Sequence, residues 1–133
     1  MSHKVIVISL VINLALISCV DYGVEYKYII DNKISLPVKV SFETHPNLQK
    51  TDTVYALTTK EIYRDFSLCE KDFVPEKWKL PFEEIDISIL DSSEIMRDFK
   101  NSDLWDFSNK LYEGTYVLVI DTTLLGEATI LFL

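Results

Sequence analysis

Alternation of apolar and polar side chains along residues 34–43 constrains the fold more than any other feature of the sequence. The apolar positions are Ile34, Leu36, Val38, Val40 and Phe42. Successive side chains of a β-strand point to opposite faces, so this period of two predicts a strand that buries one face and exposes the other. Pro37 falls within the strand and has no N–H to donate, which predicts a sheet edge or a bulge at that point.

Residues 24–31 repeat this alternation. The apolar positions there are Val24, Tyr26, Tyr28 and Ile30. A three-residue loop at 31–33 sets Ile30 opposite Ile34 and gathers both apolar rows on one face, whereas a two-residue loop separates them. Asn32 tolerates the left-handed backbone that such a loop needs. The sequence therefore predicts that the two strands pair as a hairpin in that register.

The remaining segments predict a mainly β protein. Strands are predicted at residues 53–57, 85–89, 115–120 and 128–133, and loops at 44–52 and 70–84. Residues 58–69 fit either a helix or a strand, and the β-rich flanks favour the strand. Residues 91–110 contain the starts of one or two short helices. We expect an antiparallel β-sandwich that contains no helices other than those one or two short ones. An α+β fold is the alternative.

The first nineteen residues resemble the leader of an exported lipoprotein. A polar start with one lysine precedes an apolar run at residues 5–17, which has the length of a secretory signal and falls short of the ~18–20 residues of a membrane-spanning helix. At its end, Leu16-Ile17-Ser18-Cys19 resembles the lipobox of bacterial lipoproteins. The resemblance implies that a signal peptidase cuts before Cys19 and that the Cys19 sulfur carries diacylglycerol. In that family the new amine is often acylated as well, as with palmitate.

These features predict the organisation of the chain. Residues 1–18 form a signal peptide that is removed, 19–23 a lipidated N-terminus with a short tether, and 24–133 a single β-rich domain. A secretory signal cleaved without lipidation and an uncleaved anchor are the alternatives. We expect the lipid to anchor the domain to a membrane that faces the periplasm or the cell exterior, with the outer membrane favoured.

The chain as a whole loosely resembles the small envelope lipoproteins of Bacteroidota-type bacteria. The residues that carry the resemblance are the lipobox, Tyr28 to Asn32 and Tyr116 to Ile120. It implies a cell-envelope β-domain and no particular activity. The formal net charge of −8 argues against a nucleic-acid partner and against attraction to anionic lipid headgroups.

Aromatic residues are the strongest candidates for ligand binding. Trp78 and Trp105 offer flat faces to a sugar or a peptide, although aromatics in a small domain more often fill its core. Trp78 lies in a loop between Pro75 and Pro81 and is the tryptophan expected to be exposed.

The sequence predicts no catalytic residue, metal site or cofactor. Glu83, Glu84 and Asp86 form an acidic cluster that suits glycoside hydrolysis or calcium binding, but their alternation with isoleucines favours a solvated sheet face. His45 is interpreted as a loop residue. Cys69, left alone once Cys19 is lipidated, is interpreted as a buried thiol and not a reactive one.

The primary hypothesis is a non-enzymatic, lipid-anchored envelope protein that binds a partner or supports an assembly. The partners expected are the membrane, through the N-terminal lipid, and an envelope protein or glycan. A carbohydrate-binding accessory lipoprotein and a small hydrolase or hydrolase inhibitor are the alternatives.

Overall fold

The described residues of the computed structural model are 22–89, 93–127 and 129–132. They form nine strands, one short helix and a single 3-10 turn. The strands are β1 (Tyr22–Asn32), β2 (Val38–Thr44), β3 (Leu48–Val54), β4 (Thr59–Cys69), β5 (Phe82–Ile89), β6 (Ser93–Met96), β7 (Asp106–Lys110), β8 (Glu113–Ile120) and β9 (Thr129–Phe132). The 3-10 turn is Ser102–Leu104, and helix α1 is Thr122–Glu127.

The strands form two sheets that pack as a sandwich, which confirms the predicted fold class. The four-stranded sheet has the order β4-β1-β8-β7, and the five-stranded sheet has the order β3-β2-β5-β6-β9. Neighbouring strands are antiparallel, apart from the parallel pair β1 and β8. The α+β alternative is wrong, because the one helix among the described residues has only six residues.

The core lies between the sheets and follows the alternation of the strands. In β2 the side chains of Val38, Val40 and Phe42 are buried, and in β8 every second residue from Gly114 to Ile120 is buried. Burial of each large apolar side chain is worth about 1.5–3 kcal/mol relative to exposure. The alternating burial predicted for β1 is confirmed, and so is that of β2 from Val38 onward. The predicted strand is too long at its start, because β2 begins at Val38 and Leu36 is 44% exposed.

The predicted hairpin between β1 and β2 is wrong. Strand β1 pairs with β4 and β8, while β2 pairs with β3 and β5 in the other sheet. The segment 33–37 crosses from one sheet to the other, so the two apolar rows face each other across the core. Pro37 precedes the first residue of β2, and β2 is an interior strand, so the predicted edge or bulge at Pro37 is also wrong.

Other segments divide between confirmation and correction. Residues 59–69 form strand β4, as favoured, with Ile62 as an extra residue in a bulge opposite Tyr28 and Ile29. The first predicted helix within 91–110 is wrong in its described part, because Ser93 and Ile95 alternate into the core from a strand. The second is limited to the 3-10 turn Ser102–Leu104, and strand β7 follows it. The predicted loop at 44–52 is partly wrong, since β3 begins at Leu48; its side chains up to Thr53 are largely exposed and carry no apolar alternation.

The leader lies outside the described residues. This applies to the predicted signal peptide at 1–18, to the lipobox and to lipid attachment at Cys19. Strand β1 begins at Tyr22, inside the segment 19–23 that was predicted as a tether. Within residues 22–89, 93–127 and 129–132, no helix has the length and hydropathy required to span a membrane.

Candidate functional site

A groove of about 620 Å³ lies between the inner face of the four-stranded sheet and the segment that connects β4 to β5. We call residues 70–81 the covering segment. The sheet contributes Tyr26, Tyr28, Asp65 and Tyr116 to the groove. The covering segment contributes Phe73, Val74, Glu76, Trp78, Lys79 and Pro81. The volume is in the range of small-ligand sites.

Strand alternation and register bring the tyrosines together. Tyr26 and Tyr28 lie two apart in β1 and so share its inner face, and Tyr28 is the register partner of Tyr116 in β8. The rings of Tyr28 and Tyr116 stack with centroids 5.1 Å apart and planes 10° apart. Gly114 is the partner of Tyr26, and a Cβ there would come within 2.9 Å of the Tyr26 ring. Glycine at 114 therefore makes room for this tyrosine.

Hydrogen bonds to β7, to β8 and to the turn between them hold the covering segment in place. The Trp78 N–H donates to the Tyr116 hydroxyl at 2.8 Å, and the Asn109 Nδ2 donates to the Pro75 carbonyl at 2.7 Å. The Tyr112 N–H donates to the Phe73 carbonyl at 2.9 Å. Further bonds join the Asp72 N–H to the Tyr112 hydroxyl and the Lys77 ammonium to the Trp105 carbonyl. A segment bonded at several points along its length gives the groove a preformed shape, which lowers the cost of ordering on binding.

Two phenols of the groove, those of Tyr26 and Tyr28, have raised pKa values. Burial, and next the neighbouring Tyr116, raise the pKa of Tyr28 well above its ordinary value of 10.0. The same two causes, burial first, raise the pKa of Tyr26. Both hydroxyls can therefore donate a hydrogen bond at physiological pH. Asp65, Glu76 and Lys79 add charged groups to the same groove.

The two predicted tryptophans lie in opposite environments. Trp78 is 74% exposed at the groove, as expected for that loop. Trp105 is 1% exposed, its ring stacks on Phe82 at 5.9 Å, and its Nε1 donates to the Phe99 carbonyl at 2.9 Å. A ring buried in this way has no free face for a ligand. Trp105 is a core residue, and the prediction that it lies in a binding site is corrected.

Sequence reasoning missed Tyr26 and Tyr28 as groove residues. Their alternation placed them on the buried face of β1, which is right. A different signal could have identified them, namely the long, proline-containing segment 70–84, which has no strand pattern. Such a segment must lie over some part of a sheet. Which part it covers depends on long-range pairing.

The acidic cluster does not line this groove; its residues Glu84 and Asp86 lie on the outer face of the five-stranded sheet. Glu84 and Asp86 are exposed there, with Glu43 and Ser41 as their register partners in β2. Glu83 is an exposed bulge residue whose carboxylate lies 3.4 Å from the imidazole of the exposed His45. This placement agrees with a solvated sheet face. Among the residues that the structure describes, no group of three or more His, Cys, Asp or Glu side chains is arranged to hold a metal ion.

Cys69 is half-buried at the end of β4 and not fully buried as interpreted. Desolvation, and next Glu70, raise the pKa of its thiol. A thiol kept protonated is a poor nucleophile, so the pKa shift agrees with an unreactive role.

Comparison of the chain with protein-family models, with curated proteins and with solved structures finds no match. The groove and the leader are therefore the two features from which a function can be inferred.

Proposed function

We propose that the protein is a lipid-anchored cell-envelope protein whose β-sandwich is a non-enzymatic binding module. Cys19 carries the lipid, which holds the domain on a membrane facing the periplasm or the cell exterior, with the outer membrane favoured. The partner, an envelope protein or glycan, binds in the groove beneath the covering segment. The observation that carries the proposal is a preformed aromatic groove with Trp78 exposed at its mouth.

The chemistry of the groove suits binding. The indole of Trp78, which is 74% exposed, and the half-buried ring of Tyr26 offer contact area at little conformational cost, while the buried rings of Tyr28 and Tyr116 line the core side of the groove. The hydroxyls of Tyr26 and Tyr28, whose pKa values are raised from an already high 10.0, are neutral hydrogen-bond donors and not anionic nucleophiles. Together these groups recognise a ligand with both apolar faces and polar edges.

A glycan is the second, narrower candidate for the ligand, and Trp78 favours it. A sugar ring presents a flat C–H face and a rim of hydroxyls. The exposed indole of Trp78 fits the C–H face, and the carboxylates of Asp65 and Glu76 in the same groove can accept hydrogen bonds from the sugar hydroxyls. A segment of an envelope protein is the competing ligand.

Fluorescence of the two tryptophans tests the groove. Iodide should quench the exposed Trp78 and leave the buried Trp105 nearly untouched, and a bound ligand should protect Trp78. Soluble envelope oligosaccharides and solubilised envelope proteins are titrated separately, with Trp78→Phe as the control that retains only the core signal. A ligand that binds Trp78→Phe and the unaltered protein with equal affinity would place its site elsewhere.

Intact mass tests the anchor. Protein isolated from native membranes should begin at Cys19 and carry the added mass of two or three acyl chains, which is the number needed for durable anchoring. The Cys19→Ser variant should appear in the soluble fraction or keep its leader. A native species that begins at Met1, or a mature form without acyl mass, would contradict lipid anchoring.

A further inference from the structure

One end of the four-stranded sheet exposes apolar side chains next to the proposed anchor. Strand β1 begins at this end, with Tyr22 opposite Cys69, the last residue of β4. The turn between β7 and β8 also lies here, because the rings of Tyr22 and Tyr112 stack at 5.4 Å. We call the exposed apolar side chains at this end the apolar rim. Its members are Tyr22, Phe66, Leu68 and Leu111.

The described residues leave the side chains of the rim exposed. Phe66 and Leu68 point to the outer face of β4, where their register partners in β1 are Glu25 and Gly23. The ring of Phe66 lies over Gly23 and so leans toward the start of β1. Leu68 is 77% exposed, the highest value among the large apolar side chains given for the described residues.

The length of chain ahead of β1 brings this rim to the membrane. Only Val20 and Asp21 separate Cys19 from Tyr22. A chain spans at most about 3.3–3.6 Å per residue, so the Tyr22 Cα lies within about 11 Å of the Cys19 Cα. If acyl chains on Cys19 are inserted in the bilayer, the rim is confined to the depth of the headgroups or just above them.

The chemistry of the rim fits that depth. Leucine and phenylalanine gain by leaving water for the acyl boundary, and tyrosines are enriched where one side of a ring is wet and the other apolar. The acidic domain gives no attraction to anionic headgroups, so the contact must be apolar and should form on zwitterionic lipid.

We infer that the apolar rim inserts into the membrane that carries the Cys19 lipid, and fixes the orientation of the domain on it. The inference rests on the proposed function, because it needs the lipid at Cys19. The turn at 55–58 then points away from the membrane. The groove opens close to the lipid surface, since the Phe73 carbonyl that borders it accepts from Tyr112 at this same end.

The chain offers a matched pair of positions for the test. Leu68 and Leu57 have similar exposures, 77% and 71%, and lie near opposite ends of β4. An eleven-residue strand rises by roughly 3.3 Å per residue, which puts about 30 Å between the two sites. A nitroxide is attached at Leu68→Cys or at Leu57→Cys, each in a Cys69→Ser background, on the full lipidated protein.

The labelled proteins are reconstituted into phosphatidylcholine vesicles, and collisions with a water-soluble nickel chelate and with dissolved oxygen are measured. The chelate rate at residue 68 should fall about fivefold or more on reconstitution while the oxygen rate rises, as expected for side chains ~5–10 Å inside the headgroup boundary. Both rates at residue 57 should stay unchanged.

A second variant removes the rim without a label. Phe66→Ser with Leu68→Ser should speed transfer of the lipidated protein between vesicles by about tenfold or more, because two apolar side chains no longer leave water. Leu57→Ser should transfer at the unaltered rate. All three positions are exposed, so the domain should remain folded.

The outcomes separate the two proposals. If the chelate reaches residues 68 and 57 equally, on protein whose mass shows the acyl chains, the result would overturn insertion of the apolar rim and leave lipid anchoring intact. Protein without acyl mass would overturn the anchoring. Protection of residue 68 that needs no vesicles and grows with protein concentration would assign the rim to a second copy of the chain and overturn its insertion.

Discussion

Asn32 shows how one buried polar side chain holds a chain crossing. It is the last residue of β1 and is fully buried. Its Nδ2 donates to the carbonyls of Leu36, Val54 and Tyr55 at 2.9, 3.1 and 3.2 Å, and its Oδ1 accepts from the Ile34 N–H at 3.2 Å. The side chain thus ties the crossing segment to the end of β3. Asparagine was predicted here for a tight turn, and it serves instead as a buried bridge between the two sheets.

Asn32→Asp should lower the free energy of unfolding by about 3 kcal/mol at neutral pH, because a buried carboxylate would face backbone carbonyls with no donor of its own. Denaturant unfolding followed by circular dichroism measures the loss. Asn101→Asp is the matched control, since the exposed Asn101 accepts through Oδ1 from the Asp103 N–H and an aspartate can do the same. Equal stability of the two variants would contradict the role given to Asn32.

The raised pKa of Tyr28 predicts sensitivity to alkali. The folded state binds the phenol proton more tightly than the unfolded state, so this contribution to stability is complete below the ordinary pKa of 10.0 and is lost above it. The free energy of unfolding should fall by up to about 1.4 kcal/mol per pH unit above pH 10 for this group. Tyr28→Phe should make the fall shallower, while Tyr55→Phe at an exposed site should leave it unchanged. A slope that is the same in all three proteins would refute the assignment.

At the scale of elements, the sequence predicted which strands exist better than which strands pair. The alternation of apolar and polar residues in β1, β2 and β5 and the continuous apolar run in β8 are local patterns. Each of them correctly predicted a strand. Alternation fixes the face of a side chain but not the neighbour of a strand. Partners were therefore mistaken where β1 and β2 are adjacent in sequence but lie in different sheets. Only contacts between distant residues decide that choice.

The residues of the candidate site also divide into those that local sequence signals predicted and those that depend on long-range packing. Exposure of Trp78 followed from its flanking prolines, a local signal. Burial of Trp105 did not, because it follows a 3-10 turn whose position over Phe82 is set by the packing of both sheets. The groove itself needed Tyr116 beside Tyr28, a parallel pairing between residues 88 positions apart in the chain.

One of the hydrogen bonds that hold the covering segment is made by the Tyr116 hydroxyl, near the centre of the segment. Tyr116→Phe keeps the stacked ring but removes the acceptor for the Trp78 N–H. Losing a hydrogen bond of about 1 kcal/mol should speed exchange of the Trp78 amide roughly fivefold and weaken ligand protection of its indole. Hydrogen exchange read by mass spectrometry over the segment measures the change, with Tyr55→Phe as the control. Unchanged exchange would show that the other bonds suffice to hold the segment.

At the scale of the whole molecule, the chain passes repeatedly between the two sheets. Strand β1 belongs to the four-stranded sheet, and β2 and β3 belong to the five-stranded sheet. The chain returns to the four-stranded sheet with β4, passes to the five-stranded sheet with β5 and β6, and returns again with β7 and β8. Strand β9 lies in the five-stranded sheet. One hydrophobic cluster joins residues of both sheets. Neither sheet is a contiguous stretch of chain, so neither can be completed while the other is absent.

This interleaving predicts a single cooperative unfolding transition. Trp105 lies in the shared core, so in a Trp78→Phe background its fluorescence should report the loss of contact between the sheets. Its denaturation midpoint should coincide with that of the far-ultraviolet circular dichroism of the strands, and both probes should give the same slope with denaturant. Two separated midpoints would mean that one sheet survives the loss of the core, and would contradict the prediction of a single cooperative unit. Refolding should be slow, on the order of milliseconds to seconds, because the pairing of β1 with β8 closes most of the chain before it gains its contacts.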